Sequence, residues 1–235
     1  MRGRPQLPEI TDERHLQCFY DIINNMSFTA LLHSVPWHGV ITTDDLYRRW
    51  GEVPVRQRLG GWLKSGKLVR VCKGVYAVNA PYRNPNGVHP YFLANYVYPG
   101  SYLSVESALE FHRMIPESIV SFFSVTSERS GHKQTPLGLF WALHINRGLD
   151  GVETYAVGDG QRARIASPER ALLDLVWLVP KGGTPEHLDS LRLQNLDKLD
   201  IAKMSRLAEG SGKLNRAVSY IATLKAREAE EWQPI

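Results

Sequence analysis

The eleven residues LVRVCKGVYAV at positions 68–78 alternate apolar with other side chains on both sides of a central Lys73–Gly74 pair. A period of two fits a pleated strand, whereas a helix brings every third or fourth residue to one face. Lys-Gly is a good tight-turn pair, so the stretch reads as a short hairpin with a basic tip. Leu68, Val69 and Val71 lead in, and Val75, Tyr76 and Val78 lead back.

What precedes the hairpin is helical. Thr42-Thr43-Asp44-Asp45 places a cap and first-turn acids ahead of Leu46 and Tyr47, predicting a helix that ends near Trp50. Gly51-Glu52-Val53 is a short turn. Pro54 suits the first position of a second helix, because the missing proline N–H has no helical partner there. In that helix Val55, Leu59, Trp62 and Leu63 form one apolar face, and Arg56, Gln57, Gly60 and Lys64 fall mostly on the other. Ser65–Gly66 stops it. Further upstream, residues 28–34 read as a short helix and Val40–Ile41 as a short strand. Residues 11–26 read as a helical extension with Leu16, Phe19, Tyr20, Ile22 and Ile23 apolar.

Helix, turn, helix and basic-tipped hairpin describe a winged helix-turn-helix over residues 1–80. In that geometry the second helix lies in the major groove of DNA. Arg56, Gln57 and Arg58 sit near its N-terminal end, where Arg pairs bidentately with guanine and Gln with adenine. Lys64 and Lys73 fit phosphate contacts, which position without specifying sequence. Together with Thr43, Arg48 and Arg49 of the preceding helix, these residues form the candidate DNA-binding set.

Charge placement points the same way. The net charge of +4 is carried by residues 1–80, with eleven Lys and Arg against seven Asp and Glu. The remainder holds seventeen of each. Within 46–75 eight bases face one acid, Glu52, a local excess suited to a polyanion. Two other readings stand beside it: a solvated face that happens to be basic, and a winged module that docks a protein.

Several runs resemble AbiEi-type antitoxins. GVITTDDLYRRWG with VRQRLGGWLKSGKLVRVCKGVYAV is similar to that family's N-terminal winged helix. PYFLANYVYPGSYLSVESALEFHRM is similar to its segment carrying Ser104, Glu106 and Ser107, and RARIASPERALLDLV to its segment carrying Pro168, Glu169 and Arg170. The likeness spans roughly residues 28–180. It implies a DNA-binding autorepressor and antitoxin that counteracts a toxin of nucleotidyltransferase fold, often without a stable toxin complex. It implies double-stranded promoter DNA as a partner, with direct contact to the toxin and a homodimer on DNA both left open.

The second half is expected to be a mixed α/β domain. Asn84-Pro85-Asn86-Gly87 marks a turn-rich linker, giving a boundary at 81–90 and a second domain at 91–235. Residues 91–98 read as an aromatic-rich helix, and Tyr102–Leu103 as a short strand. Ser104 then serves as cap of a helix over 105–112. Stretches 119–126, 139–145, 152–157 and 162–166 are short, separated by turns, and rich in β-branched and aromatic residues, as strands are. Ser167-Pro168-Glu169 is a helix start in the right order, for a helix burying Ala171, Leu172, Leu175 and Val176. Helices are expected at 184–196, 199–209 and 213–231, the last with an apolar stripe that packs internally. The fold class is therefore α+β, ending in helices.

Catalytic signals are weak, and the chain is read as a non-enzyme. Ser104, Glu106, Ser107 and His112 form the best enzymatic grouping, yet a cap and a helix-dipole partner account for the first two. Arg170 and Asp174 share helical spacing of four, a pair that supports helices. The glycine-rich Glu209-Gly210-Ser211-Gly212-Lys213 lacks the first phosphate-loop glycine and has Leu214 where Ser or Thr binds magnesium. The eight histidines form no close ligand set with cysteine, so no metal or cofactor is expected. A nuclease-like domain behind a docking module is the alternative, but no strand carries an acid-x-Lys pattern. No apolar run spans a bilayer, Arg2 and Arg4 are not followed by a secretory signal, and two distant cysteines, Cys18 and Cys72, suit a reducing cytoplasm.

Overall fold

A computed structural model of the chain describes residues 26–35, 38–79, 81–82 and 87–231, the last through its backbone. It divides into two compact units, Met1–Gly87 and Val88–Ile235, so the division falls inside the segment 81–90. The helix expected over residues 11–26 lies, Met26 apart, outside the described residues.

The first unit runs α1 (Phe28–Ser34), β1 (Val40–Thr42), α2 (Thr43–Trp50), α3 (Glu52–Lys64), β2 (Leu68–Cys72) and β3 (Val75–Val78). The Thr42 hydroxyl caps α2, accepting the Asp45 amide at 3.1 Å and donating to the Asp45 carboxylate at 2.5 Å. Helix α3 starts two residues earlier than Pro54 predicts, because Gly51 at φ +80° turns the chain in one step. Pro54 is thus the third helical residue. It costs nothing there, since the N–H groups of the whole first turn lack helical partners.

The strands form an antiparallel sheet in the order β1-β3-β2, with Thr42 opposite Val75 and Leu68 opposite Val78. Gly74 at φ +80° makes the hairpin turn, and its carbonyl accepts the Thr43 amide at 2.8 Å. That bond fastens the turn to the first residue of α2. Met26, Leu31, Ile41, Leu46, Val55, Trp62, Leu68 and Val78 fill the core, with Leu59 and Leu63 packed at its margin. The apolar face expected of α3 is the face that is buried.

The second unit is built on a six-stranded mixed sheet. Its elements are α4 (Pro90–Val97), β4 (Tyr102–Leu103), α5 (Val105–Phe111), β5 (Ser121–Thr126), β6 (Gly131–Thr135), β7 (Gly138–His144), β8 (Val152–Gly158), β9 (Gln161–Ala166) and α6 (Pro168–Leu178). Then follow α7 (Pro185–Ser190), a 3-10 turn (Leu196–Lys198), α8 (Ile201–Leu207) and α9 (Gly212–Glu231). The strand order is β6-β7-β5-β4-β9-β8, which puts the two-residue β4 at the centre, antiparallel to β5 and parallel to β9. Helix α4 packs on β4 and β9, and α5 packs on β5 and α6.

Strand β6 (GHKQT) was not expected, because it has no apolar residue to alternate. It is an edge strand held by backbone pairing to β7 and by Lys133, which donates to the Val97 carbonyl at 2.6 Å and lies 4.3 Å from the Tyr98 ring centroid. The helix expected over 184–196 stops at Ser190, and Asn195 at φ +56° redirects the chain into the 3-10 turn. In α9 the stripe faces inward, with Leu214, Ala217, Val218 and Ile221 buried and the Tyr220 hydroxyl on Asp189 at 2.8 Å. The chain is a mixed α+β protein ending in helices. Among the described residues no helix is long and apolar enough to cross a membrane.

Gly182, between α6 and α7, shows how closely those helices are joined. A Cβ built there would lie 2.8 Å from the Val176 carbonyl oxygen and 2.9 Å from its Cα. Backbone cannot move aside as a side-chain tip can, so Gly182→Ala is expected to cost about 1–3 kcal/mol. Urea unfolding checks it, and an unchanged midpoint would contradict this packing.

Candidate functional site

The outward face of α3 follows from its period. With Val55, Leu59, Trp62 and Leu63 turned inward, Arg56, Gln57, Gly60, Gly61 and Lys64 are exposed in a row, and Arg58 is half-buried beside them. A Cβ at Gly60 or Gly61 would meet nothing within 4 Å, so packing does not call for glycine at either. Each costs about 0.5–1 kcal/mol against alanine in a helix interior.

Arg56 is exposed but held. Its Nε donates to the Tyr47 hydroxyl at 3.4 Å, and its Nη2 is ion-paired with Glu52 one turn earlier. The Tyr47 hydrogen bond and then the Glu52 carboxylate push its pKa up. Arg48 pairs with Asp45 at 3.4 Å, and the Arg49 guanidinium lies 5.3 Å from the Trp50 ring centroid. The side chains of Gln57, Lys64, Arg70 and Lys73 make no ion pair or hydrogen bond with described residues. Thr43 is half-buried at the first position of α2, and its bond to Gly74 sets it against the turn that carries Lys73. Lys67, like Arg49, lies over an aromatic ring, 5.0 Å from the Phe28 centroid. Sequence reasoning missed Tyr47 and Glu52 as partners of Arg56, although the spacing of four from Glu52 was a signal for the second.

In the second unit, residues 68 to 72 positions apart in the two motifs meet in one buried cluster. Asp174 accepts the Arg170 Nε at 2.8 Å, the Ser104 hydroxyl at 2.8 Å and the Tyr102 hydroxyl at 2.9 Å. The Tyr102 hydroxyl in turn accepts Arg170 Nη2 at 2.7 Å. Arg170 Nη1 donates to the carbonyls of Gly148 at 2.7 Å and Asp150 at 3.1 Å, which pins the loop between β7 and β8. The Arg170 and Asp174 side chains are only 5% and 2% exposed. Ionised groups so placed lose several kcal/mol of hydration each, and the ring of charge-assisted bonds offsets that loss. Burial pushes the Asp174 carboxyl up, and Arg170, Ser104 and Tyr102 pull against it. Burial also pushes the Tyr102 hydroxyl up.

Ser104 stands at the N-cap position of α5, but its side chain does not cap: the hydroxyl is committed to Asp174. The next residue, Val105, sits at φ +45°, a strained backbone for a β-branched side chain. Ser107 Oγ accepts the Phe123 amide at 2.7 Å, fastening α5 to β5, and Glu106 is half-buried in the first turn. His112 is not brought to the serines: its Nε2 pairs with the Ala166 carbonyl at 2.8 Å, and burial pushes its pKa down. The enzymatic grouping read from the sequence is therefore not assembled.

Pro168 is the first residue of α6, capped by Ser167 as expected. Glu169 accepts the Ser167 hydroxyl at 2.6 Å and the Asp200 amide at 3.1 Å, with Lys203 Nζ at 3.1 Å. Burial pushes Glu169 up, but the Ser167, Asp200 and Lys203 contacts outweigh it and hold the carboxyl below its ordinary 4.5. Tyr102, Lys203 and the 148–150 carbonyls escaped the sequence reading, because nothing local links them to these motifs. Among the described residues no cluster of three or more His, Cys, Asp or Glu could hold a metal ion.

Fold and site together define a two-unit α+β chain with a basic helical face in the first unit and a closed polar cluster in the second. The crystal structure of the RV2827C protein from Mycobacterium tuberculosis is similar in fold, at a TM-score of 0.52 and 17% identity, over 94% of this chain and 79% of that one. No family model and no curated protein matches the sequence.

Arg170→Met leaves Asp174 buried without its cation and two carbonyls without a donor. It is expected to destabilise the second unit by about 3–5 kcal/mol, read from urea unfolding. Glu169 predicts the pH behaviour. A carboxyl whose folded pKa is depressed adds stability above its unfolded pKa, and that stability is lost as pH falls through the folded value. The wild type should thus lose more stability than Glu169→Gln as pH drops below 4.5, measured by urea midpoints across the acid range.

Proposed function

We propose that the first unit is a winged helix-turn-helix that binds double-stranded promoter DNA, and that the protein is a transcriptional autorepressor and antitoxin. The observation that carries the DNA-binding half is the outward face of α3. Arg56, Gln57, Gly60, Gly61 and Lys64 contribute little to the core, and the glycine pair lowers helix stability without a packing reason. A nucleic-acid backbone drawn close to the helix supplies that reason. In this reading α3 enters the major groove, with Arg56 and Gln57 at base edges and Lys64 on phosphate. Arg48, Arg49 and Arg58 add positive potential, and the β2–β3 hairpin is the wing. Its tip is anchored to α2 through Thr43, so Lys73 meets the duplex from a fixed position.

The antitoxin half rests on the resemblance of the 90–114 and 162–176 runs to AbiEi-type antitoxins. Its target is a toxin of nucleotidyltransferase fold, reached by contact or indirectly. The second unit is read as non-catalytic, because Ser104, Arg170 and Asp174 hold one another and Glu169 is held by Ser167, Asp200 and Lys203. Such a cluster stiffens a scaffold. A cytoplasmic location and a homodimer on DNA fit the same reading.

The test is an anisotropy titration of the full chain against DNA from upstream of its own gene and a scrambled duplex, at two salt concentrations. Tighter binding to the upstream DNA, weakened steeply by salt, is the expected result. Lys73→Ala should weaken both duplexes alike and lower the salt slope by about one. Gly60→Ala with Gly61→Ala should raise unfolding stability yet weaken DNA binding. Equal, salt-insensitive binding to both duplexes would overturn the proposal. Restored growth on co-expression with the adjacent gene tests the antitoxin half.

A further inference from the structure

Arg56 has five N–H donors arranged along two edges of a planar guanidinium. Nε and Nη2 form the side edge, and in this chain both are engaged, Nε by the Tyr47 hydroxyl at 3.4 Å and Nη2 by the Glu52 carboxylate. On the end edge, Nη1 makes no hydrogen bond or ion pair with the described residues, and Nη2, with its two N–H groups, is the atom both edges share. Tyr47 stands on α2 and is packed against the core, while Glu52 opens α3. The plane of the guanidinium is thereby referenced to both helices.

Fold stability does not account for this arrangement. The Arg56 and Glu52 side chains are 69% and 52% exposed, where an ion pair adds little. Glu52 is the one acid among eight bases in the stretch 46–75, where a negative charge works against a polyanion. Glu52 complements the N-terminal end of α3, in whose first turn it lies, and from there it also holds the arginine. Arg58 is half-buried and has a partner of its own.

We infer that Arg56 determines base specificity by presenting its end edge to the O6 and N7 of one guanine, and that Glu52 and Tyr47 are positioning residues that aim it. The inference rests on the DNA-binding reading above. A preset fork loses less freedom on binding than a free arginine, so the gain falls on the discrimination of one base.

The test is selection of duplexes from a pool with a randomised central segment by the full-length protein, followed by sequencing. Each variant is first checked for an unchanged melting transition. The wild type should enrich guanine at one position by roughly 5-fold or more, the discrimination of a good bidentate contact. Arg56→Lys, which keeps the charge but not the fork, should abolish that enrichment and leave other positions as they are. Glu52→Gln and Tyr47→Phe should each lower enrichment at that same position, with preferences elsewhere intact. If Arg56→Lys removes the preference while Glu52→Gln and Tyr47→Phe leave it at the wild-type level, Arg56 reads unaided and the inference fails while DNA binding stands. A uniform rise in affinity for Glu52→Gln, with every preference unchanged, would make Glu52 a mere repulsive charge and also overturn it. A wild type that enriches no sequence at all would bring down the DNA-binding reading with it.

Discussion

An arginine and an aspartate one helical turn apart, sealed from water, set the terms for the second unit. Arg170 and Asp174 cannot both be ionised in that place unless each is surrounded by partners, and the partners come from far away in sequence. Tyr102 and Ser104 arrive from the centre of the sheet, and the Gly148 and Asp150 carbonyls from the loop between β7 and β8. The pair therefore acts as a requirement on the whole unit: sheet, loop and helix must be in place together or two charges are stranded. Gly151 belongs to the same arrangement. It lies at φ +78°, where a Cβ would come within 3.1 Å of the Arg170 Cβ, and its carbonyl accepts the Ser167 amide at 2.7 Å. The cap of α6 and the end of the loop are thus one construction.

The first unit is organised on the opposite plan. Among the described residues its core is small and apolar, drawn from three helices and a sheet of short strands, and none of its charged side chains is fully buried. The polar contacts that matter to its shape are backbone and cap interactions: Thr42 on Asp45, Ser27 on Ala30, and Thr43 on Gly74. Such contacts are local and leave long side chains free for other uses. Arg48 is held within its own helix by Asp44 and Asp45, whereas Arg56 is held from two helices, by Tyr47 and Glu52.

This contrast explains what could be read from the sequence. In the first unit, caps, a helix stop and two periodicities act over a few residues, so the hairpin and the buried face of α3 were legible from their own stretches. The start of α3 was not, because Gly51 makes a one-residue turn and Pro54 tolerates any place in a first helical turn. In the second unit the helix start at Ser167-Pro168-Glu169 was equally local and equally legible. Strand β6 was hidden because it has no apolar residue, and an edge strand needs none when its partner supplies the backbone bonds. The cluster around Arg170 was half visible: its spacing to Asp174 is a helical pair, but the same spacing occurs on solvated faces. Only the fold, by covering α6, decides between the two.

The motif residues of the second unit are the ones a search for chemistry would choose first: two serines, an acid, an arginine and a nearby histidine. Each has a structural employer. Ser104 answers Asp174, Ser107 holds β5, Glu169 ties α8 to α6, Arg170 closes the 148–150 loop, and His112 meets a carbonyl. The Ser104 proton goes to Asp174, a carboxylate that Arg170 and Tyr102 also hold inside the buried cluster. On the outward face of α3 the logic inverts. There the polar residues have little to do for the fold, and Gly60 and Gly61 work slightly against it. Residues that weaken a structure without shaping it fit the DNA-binding role proposed above, in which a row of donors with a bare stretch of helix between them lies against a polyanion.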